Sequence, residues 1–285
     1  MEISQVSERF KIKAHTLRYY ESIGLIQNIE RDASGKRAYS EKDLVWLDMI
    51  MRLRATGMPI EKMKTYARPV LDLKSKEIAV VAALTAIGTA EPQLKVHING
   101  ALNVGCSINE VKEVMLQMSG YSRFPSTINA MNALKEVLEA RKKQGIQDKE
   151  GALATKTCSE PDRFKQGSKM LAVLDEAQLA ILESTYNDFA PDLVKLVVNS
   201  YADVISRDNL DLRYRQIATI AALTALGNAK PQLKFHIKAG LNIGLSKEEI
   251  TEIMYLMTVY TGFPSAINGI NALKEVANVQ GAVAK

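Results

Sequence analysis

Two histidines, His97 and His236, stand 139 positions apart in matching surroundings, LKVHINGALNVG and LKFHIKAGLNIG. An imidazole exchanges a proton near neutral pH, and a carboxyl group within reach makes it half of an acid–base pair. Glu77 and Glu91 are the candidate acids upstream of His97, whereas the corresponding positions before His236 hold Gln216 and Lys230. Neither an amide nor an ammonium group can act as a carboxylic acid. His236 with Lys230 and Gln216 instead suits the holding of an anionic group. The sulfurs offer less. Cys106 has Leu245 as its counterpart, Cys158 lies well away, and no C-x-x-C pair exists, so a dithiol cycle is not expected. His15, His97 and His236 give no zinc-ligand spacing with either cysteine; neither a metal nor a cofactor is expected.

The matching surroundings are part of a longer repeat. Residues 72–137 and 211–276 pair without a gap, and 37 of the 66 paired positions are identical. Each copy reads as four helices. The first runs from about Asp72 to Ile87 and is rich in small and branched apolar residues, with Gly88 ending it. Pro92 fits the first turn of the second helix, with Glu91 near its N-cap. On that helix Leu94, His97, Ala101 and Leu102 recur at three- and four-residue spacing, which points the histidine along the apolar face. Ser107-x-x-Glu110 caps the third helix, as Ser246-x-x-Glu249 does in the second copy. Tyr121, Phe124 and Pro125 lead into the fourth, mirrored by Tyr260, Phe263 and Pro264.

What precedes the two copies differs in kind. ISQVSERF presents Ile3, Val6 and Phe10 on one face of a short helix, and AHTLRYYESIG places Leu17, Tyr20 and Ile23 on a buried stripe before Gly24. Two short helices with a tight link have the size of a helix-turn-helix. The second carries Lys13, His15, Thr16, Arg18 and Tyr19 near its start, the end that meets base edges in such motifs. A Ser34-Gly35 turn flanked by Arg31, Lys36 and Arg37 makes a basic hairpin able to reach phosphates. Ser40-x-x-Asp43 starts a third helix whose apolar set is Leu44, Leu47, Ile50, Met51 and Leu53, with Trp46 a further core residue. MPIEKMKTYA makes a short fourth helix. Residues 1–67 hold 12 Lys/Arg against 9 Asp/Glu, and the other 218 residues hold 25 against 23. The greater basic density is at the front, where a nucleic acid would act.

TLRYYESIGLI, the basic hairpin and RLRATGMPIEKMK together resemble the DNA-binding domain of MerR-type transcription regulators over nearly all of residues 1–67. The resemblance implies that Thr16, Arg18 and Tyr19 contact DNA from the recognition helix and that Arg37 and Tyr39 grip phosphates at the wing. MerR-type proteins usually continue into a long dimerisation helix; here Pro69 is followed at once by the repeat, with no heptad stretch of several turns. The repeat itself resembles the carboxymuconolactone decarboxylase family, related to the alkylhydroperoxidase D fold, in E-x-x-L-K-x-H-I-x-x-A-L-N-x-G-x-S and in Y-x-x-F-P-S. By that resemblance His97 and His236 match the family's active-site histidine, and the repeats form homo-oligomers. RFKQGSKMLAVLDE and the segment from FAPDLVKLVV onward resemble the family's leading helices; the first copy lacks them and has the winged helix in their place.

The expected architecture is mainly α: a winged helix-turn-helix over 1–67, a first repeat over 68–143, a linker over 144–161 and a second repeat over 162–285. The expected function is a transcription regulator that binds promoter DNA, associates through its repeats and senses a small carboxylate or lactone. A carboxymuconolactone decarboxylase-like enzyme with a DNA-binding head is the alternative. With no run of about 18 apolar residues and no signal-peptide core in MEISQVSERF, a membrane span is not expected and the chain is expected in the cytosol.

Overall fold

The computed structural model describes residues 1–55, 57–155 and 162–283. They divide into two compact units, Met1–Pro69 and Val70–Lys285.

The first unit is the small one. Helices α1 (Ile3–Arg9) and α2 (Ala14–Ser22) are followed by a two-stranded hairpin, β1 (Glu30–Arg31) and β2 (Arg37–Ala38), then α3 (Glu41–Ala55) and α4 (Ile60–Tyr66). Gly24, at φ +74°, ends α2 in the left-handed region that glycine enters without strain. The hairpin turn is held by Asp32, whose carboxylate accepts from the backbone N–H of Ser34 and Lys36. Ser40 and Asp43 form the expected reciprocal cap of α3, each side chain accepting from the other's backbone N–H. Leu17, Leu47, Ile50, Leu53 and Tyr66 are fully buried at the centre. Met49 belongs to this core and Met51 does not, because 49 rather than 51 falls on the inward face of α3. Trp46 stacks on Tyr66 and donates its indole N–H to the Leu25 carbonyl at 2.7 Å.

In the second unit each repeat contributes four helices. The first supplies α5 (Leu73–Ile87), α6 (Glu91–Asn103), α7 (Ile108–Met118) and α8 (Phe124–Lys143). The second copy is preceded by α9 (Arg163–Leu174), α10 (Gln178–Tyr186), α11 (Pro191–Ser200) and a π-helical turn at Tyr201–Ile205. It then supplies α12 (Leu212–Leu226), α13 (Lys230–Asn242), α14 (Lys247–Tyr260) and α15 (Gly262–Val283). Both capping boxes are present, and the side chains of Asp72 and Asp211 cap α5 and α12. Of the leading helices, α10 has no counterpart in the sequence reading; none of its residues is buried, so no apolar stripe announces it. Gly167 lets α9 approach α11 closely: a side chain there would meet the Val198 carbonyl.

The repeats do not stand apart. Helices α5 and α12 pack on each other at the centre of the unit, both buried along nearly their whole length. Two ion pairs cross this interface at corresponding positions. Lys76 of the first repeat meets Glu252 of the second at 3.0 Å, and Arg215 of the second meets Glu113 of the first at 3.0 Å. All four side chains are buried. Burial pushes the Glu113 carboxyl up, but hydrogen bonds from Arg207, Arg215 and Asn209 outweigh that and hold it below the usual carboxylate range. Gln117 ties the pair further, donating to the Arg215 carbonyl at 2.8 Å and to the Thr219 hydroxyl at 2.7 Å.

The segment expected as a free linker is docked over its described part. The backbone N–H groups of Ile108 and Asn109 donate to the carbonyls of Lys149 and Glu150. Arg141 binds Asp148 and also donates to Asn99 and Asn103 on α6. At the corresponding places of the second repeat, Lys238 and Asn242 are bound by Asp175 and the Leu174 carbonyl at the end of α9. Residues around Asp148 thus fill, in the first repeat, the role that the end of α9 fills in the second.

Candidate functional site

His97 lies on the inward face of α6 and is buried. Its Nδ1 is 2.9 Å from the Glu77 carboxylate on α5, and Glu77 is fully buried. Its Nε2 is 2.7 Å from the hydroxyl of Tyr260, which stands at the end of α14 in the other repeat. The tyrosine ring meets the imidazole edge-on, with centroids 5.2 Å apart and planes at 84°. Burial, with the Glu77 charge adding to it, raises the Tyr260 phenol well above its ordinary value, so it stays protonated and donates. With the phenol donating to Nε2, the imidazole proton sits on Nδ1 and points at Glu77. This tautomer follows from the hydrogen-bond network.

His236 repeats the placement with different partners. Its Nδ1 is 2.9 Å from the Gln216 amide oxygen, and Tyr121 of the first repeat lies edge-on to it at 5.2 Å and 82°. Tyr121 makes no hydrogen bond to His236. Its hydroxyl lies near those of Tyr201, on the π-helical turn, and Thr219. Burial lowers the His236 pKa to about 3, which leaves the ring neutral at physiological pH. The Gln216 Nε2 is buried without a hydrogen-bond partner.

Glu91 and Lys230 do not join these sites. Glu91 is exposed and pairs with Lys95 at 2.6 Å, while Lys230 pairs with Glu275 at 2.6 Å on the exposed face of α13. The reason is helical geometry. Each is the first residue of its helix and lies six positions before the histidine, about 240° around the axis. The carboxyl that reaches His97 is Glu77, and the reading of Lys230 as part of an anion site at His236 is corrected accordingly. Cys106 is buried, and burial pushes its thiol up to about 12, which makes it inert as a nucleophile. Cys158 lies outside the described residues. Among the described residues no group of three or more His, Cys, Asp or Glu side chains is gathered as a metal site would need. Nor is any helix among them long and apolar enough to cross a membrane.

Tyr260 and Tyr121 are the residues that the sequence reading missed as site members. They were marked only as the start of a corner. Each packs its ring on the histidine of the opposite repeat, a contact between residues 163 and 115 positions apart that no local pattern announces.

In the first unit the residues expected at DNA separate into exposed and buried. Arg18 and Tyr19 are exposed on α2 and Thr16 is half-buried, whereas Tyr20 belongs to the core. Arg37 is half-buried and its Nε donates to Glu21 at 2.5 Å, which ties the hairpin to α2. The Tyr39 ring is buried, and its hydroxyl has no hydrogen-bond partner. A buried unpaired hydroxyl is costly, by about 1–3 kcal/mol, and such groups cluster at functional positions.

The chain matches the MerR HTH family of regulatory proteins over residues 1–68 and the carboxymuconolactone decarboxylase family over residues 60–136 and 191–275. It is 31% identical over 136 residues to an uncharacterised HTH-type transcriptional regulator of Haemophilus influenzae, a match covering 47% of this chain and 90% of that protein. The HTH-type transcriptional regulator AdhR of Bacillus subtilis is 44% identical over 66 residues, 23% of this chain and 47% of AdhR. The 4-carboxymuconolactone decarboxylase of Acinetobacter baylyi is 30% identical over 120 residues, 41% of this chain and 89% of the enzyme. A small head with Arg18 and Tyr19 exposed on α2 precedes two interlocked helical repeats, and both parts match known families: the chain belongs to the carboxymuconolactone decarboxylase family, and with its MerR-type head it is a DNA-binding transcriptional regulator.

Proposed function

We propose that this regulator senses a small carboxylate or lactone at the first histidine site and converts its binding into a change of promoter affinity. The observation that carries the reading is the Glu77–His97–Tyr260 constellation, with Glu77 and His97 buried and Tyr260 half-buried. A carboxyl and an imidazole buried in one hydrogen-bonded row with a phenol add little to a helical core that an apolar row would not add, and such groups mark functional positions. A ligand shifts DNA affinity only by binding one arrangement of the protein better than another. The test is the promoter affinity of the purified chain with and without 4-carboxymuconolactone and related carboxylated lactones. An affinity that none of them changes overturns the sensing role.

In this proposal Thr16, Arg18 and Tyr19 read the promoter, while Arg37 and the orphaned Tyr39 hydroxyl meet phosphate. Arg18→Ala is expected to weaken specific promoter binding by about 1–3 kcal/mol, or roughly 5- to 150-fold, with the fold intact. Unchanged binding in a gel-shift assay sinks that assignment. Paired reading heads need an association surface, and we place it on the repeat unit. Supporting this, Phe124 and Ile128 on α8 and their counterparts Phe263 and Ile267 on α15 are all exposed.

A second reading, acid–base turnover at the same site, is favoured by the Glu77–His97 pair and by the resemblance to the Acinetobacter enzyme. Turnover of 4-carboxymuconolactone that disappears in His97→Ala supports it.

A further inference from the structure

The two histidine pockets are related by the repeat, yet only one is wired to its tyrosine. Two differences account for this. Thr219, which neighbours the Tyr121 hydroxyl and donates its own proton to the Arg215 carbonyl, has Val80 as its counterpart in the first repeat, and valine has no hydroxyl to set beside Tyr260. Tyr201 sits on the π-helical turn of the leading segment, and the first repeat has no leading segment of this kind. Tyr121 thus meets His236 through its ring alone and has its hydroxyl among other polar groups, whereas Tyr260 is hydrogen-bonded to His97. Burial also runs in order along the first row: Glu77 and His97 are buried, and Tyr260 is half-buried.

We propose that the chain holds one working proton relay rather than two, that it runs Glu77–His97–Tyr260 across the repeat interface, and that Tyr260, lent by the second repeat, is its ligand-facing end. The relay accepts a proton. A protic ligand, such as an enol or a phenol, gives its O–H proton to the Tyr260 oxygen as the phenolic proton passes to His97 Nε2. The ligand becomes an anion, the tyrosine is neutral again, and the imidazolium is held against the Glu77 carboxylate. The second pocket cannot do this. Its amide, Gln216, supplies no charge to stabilise an imidazolium, and its tyrosine meets the ring edge-on without a hydrogen bond to it. The inference deepens the sensing role by naming the ligand's reacting group and the number of sites per chain.

Its test needs no ligand, so its failure is distinct from a failure of sensing. Histidine side chains of the full chain are labelled with nitrogen-15 and followed by NMR, with His97 and His236 assigned from His97→Gln and His236→Gln. Tyr260→Phe is expected to move the His97 Nε2 resonance toward the free, unprotonated position and to leave His236 unmoved. Replacing Tyr260 by 3-fluorotyrosine and then 3,5-difluorotyrosine makes the phenol progressively more acidic. A relay then moves His97 Nε2 stepwise the other way, toward the protonated position. A His97 Nε2 resonance that stays at the hydrogen-bonded, unprotonated position as the phenol becomes more acidic overturns the proposal. So does a His236 Nε2 resonance that moves as far in Tyr121→Phe as that of His97 moves in Tyr260→Phe.

Discussion

His97 and His236 occupy corresponding places on corresponding helices, and each meets a tyrosine from the other repeat at the same ring separation. The difference between them lies in what stands one residue further out. His97 faces a carboxylate and receives a phenolic hydrogen bond; His236 faces an amide and receives none from its tyrosine. A duplicated scaffold has thus kept its frame and lost the equivalence of its sites. The lesson is that a conserved-looking histidine says little about proton chemistry until its neighbours are placed. One substitution, Glu77 against Gln216, changes what stands opposite the ring's Nδ1 from a carboxylate to an amide.

The strongest way to break the comparison is to break the frame that holds both pockets. Glu113→Gln leaves Arg215 buried without its counter-charge and is expected to cost about 3–5 kcal/mol of stability in urea unfolding. A loss below about 1 kcal/mol would mean that the inter-repeat ion pair behaves like a surface one. The second test uses pH. The unfolded histidine takes a proton below about 6.5, while native His236 stays neutral down to about 3. The unfolded state therefore binds more protons in that window, and stability falls as pH drops through it, by up to about 1.4 kcal/mol per pH unit from this group. His236→Gln is expected to remove that slope in denaturation curves taken from pH 7 to 5; parallel curves for the two proteins contradict it. The smallest effect belongs to Tyr121→Phe. Losing the hydroxyl that lies near Tyr201 and Thr219 should cost no more than about 1 kcal/mol in thermal unfolding and leave ligand response unchanged. A lost response would mean that the second pocket participates.

Much of this was legible in the sequence because its signals are local. Glycine ends, capping boxes and apolar spacing mark α5 to α8 and α12 to α15, and TLRYY with the basic hairpin marks the head. The histidines were found because they recur. Three things escaped. Glu91 and Lys230 are close to the histidines along the chain but not in space, because six helical positions turn them to the exposed face. The tyrosine exchange is a long-range contact set by how α5 packs on α12. The docking of residues 144–155 rests on backbone carbonyls and on Arg141 with Asp148, and neither leaves a periodic pattern.

The central claim is that one histidine site, not two, couples ligand to DNA. The direct measurement is promoter affinity of the full chain titrated with carboxylated lactones, compared among wild type, Glu77→Gln and Gln216→Glu. The account predicts that Glu77→Gln, which gives the first pocket the second's amide, reduces the ligand-induced change at least about tenfold, a loss of about 1.4 kcal/mol of coupling. It predicts that Gln216→Glu leaves that change in place. An undiminished response in Glu77→Gln contradicts it.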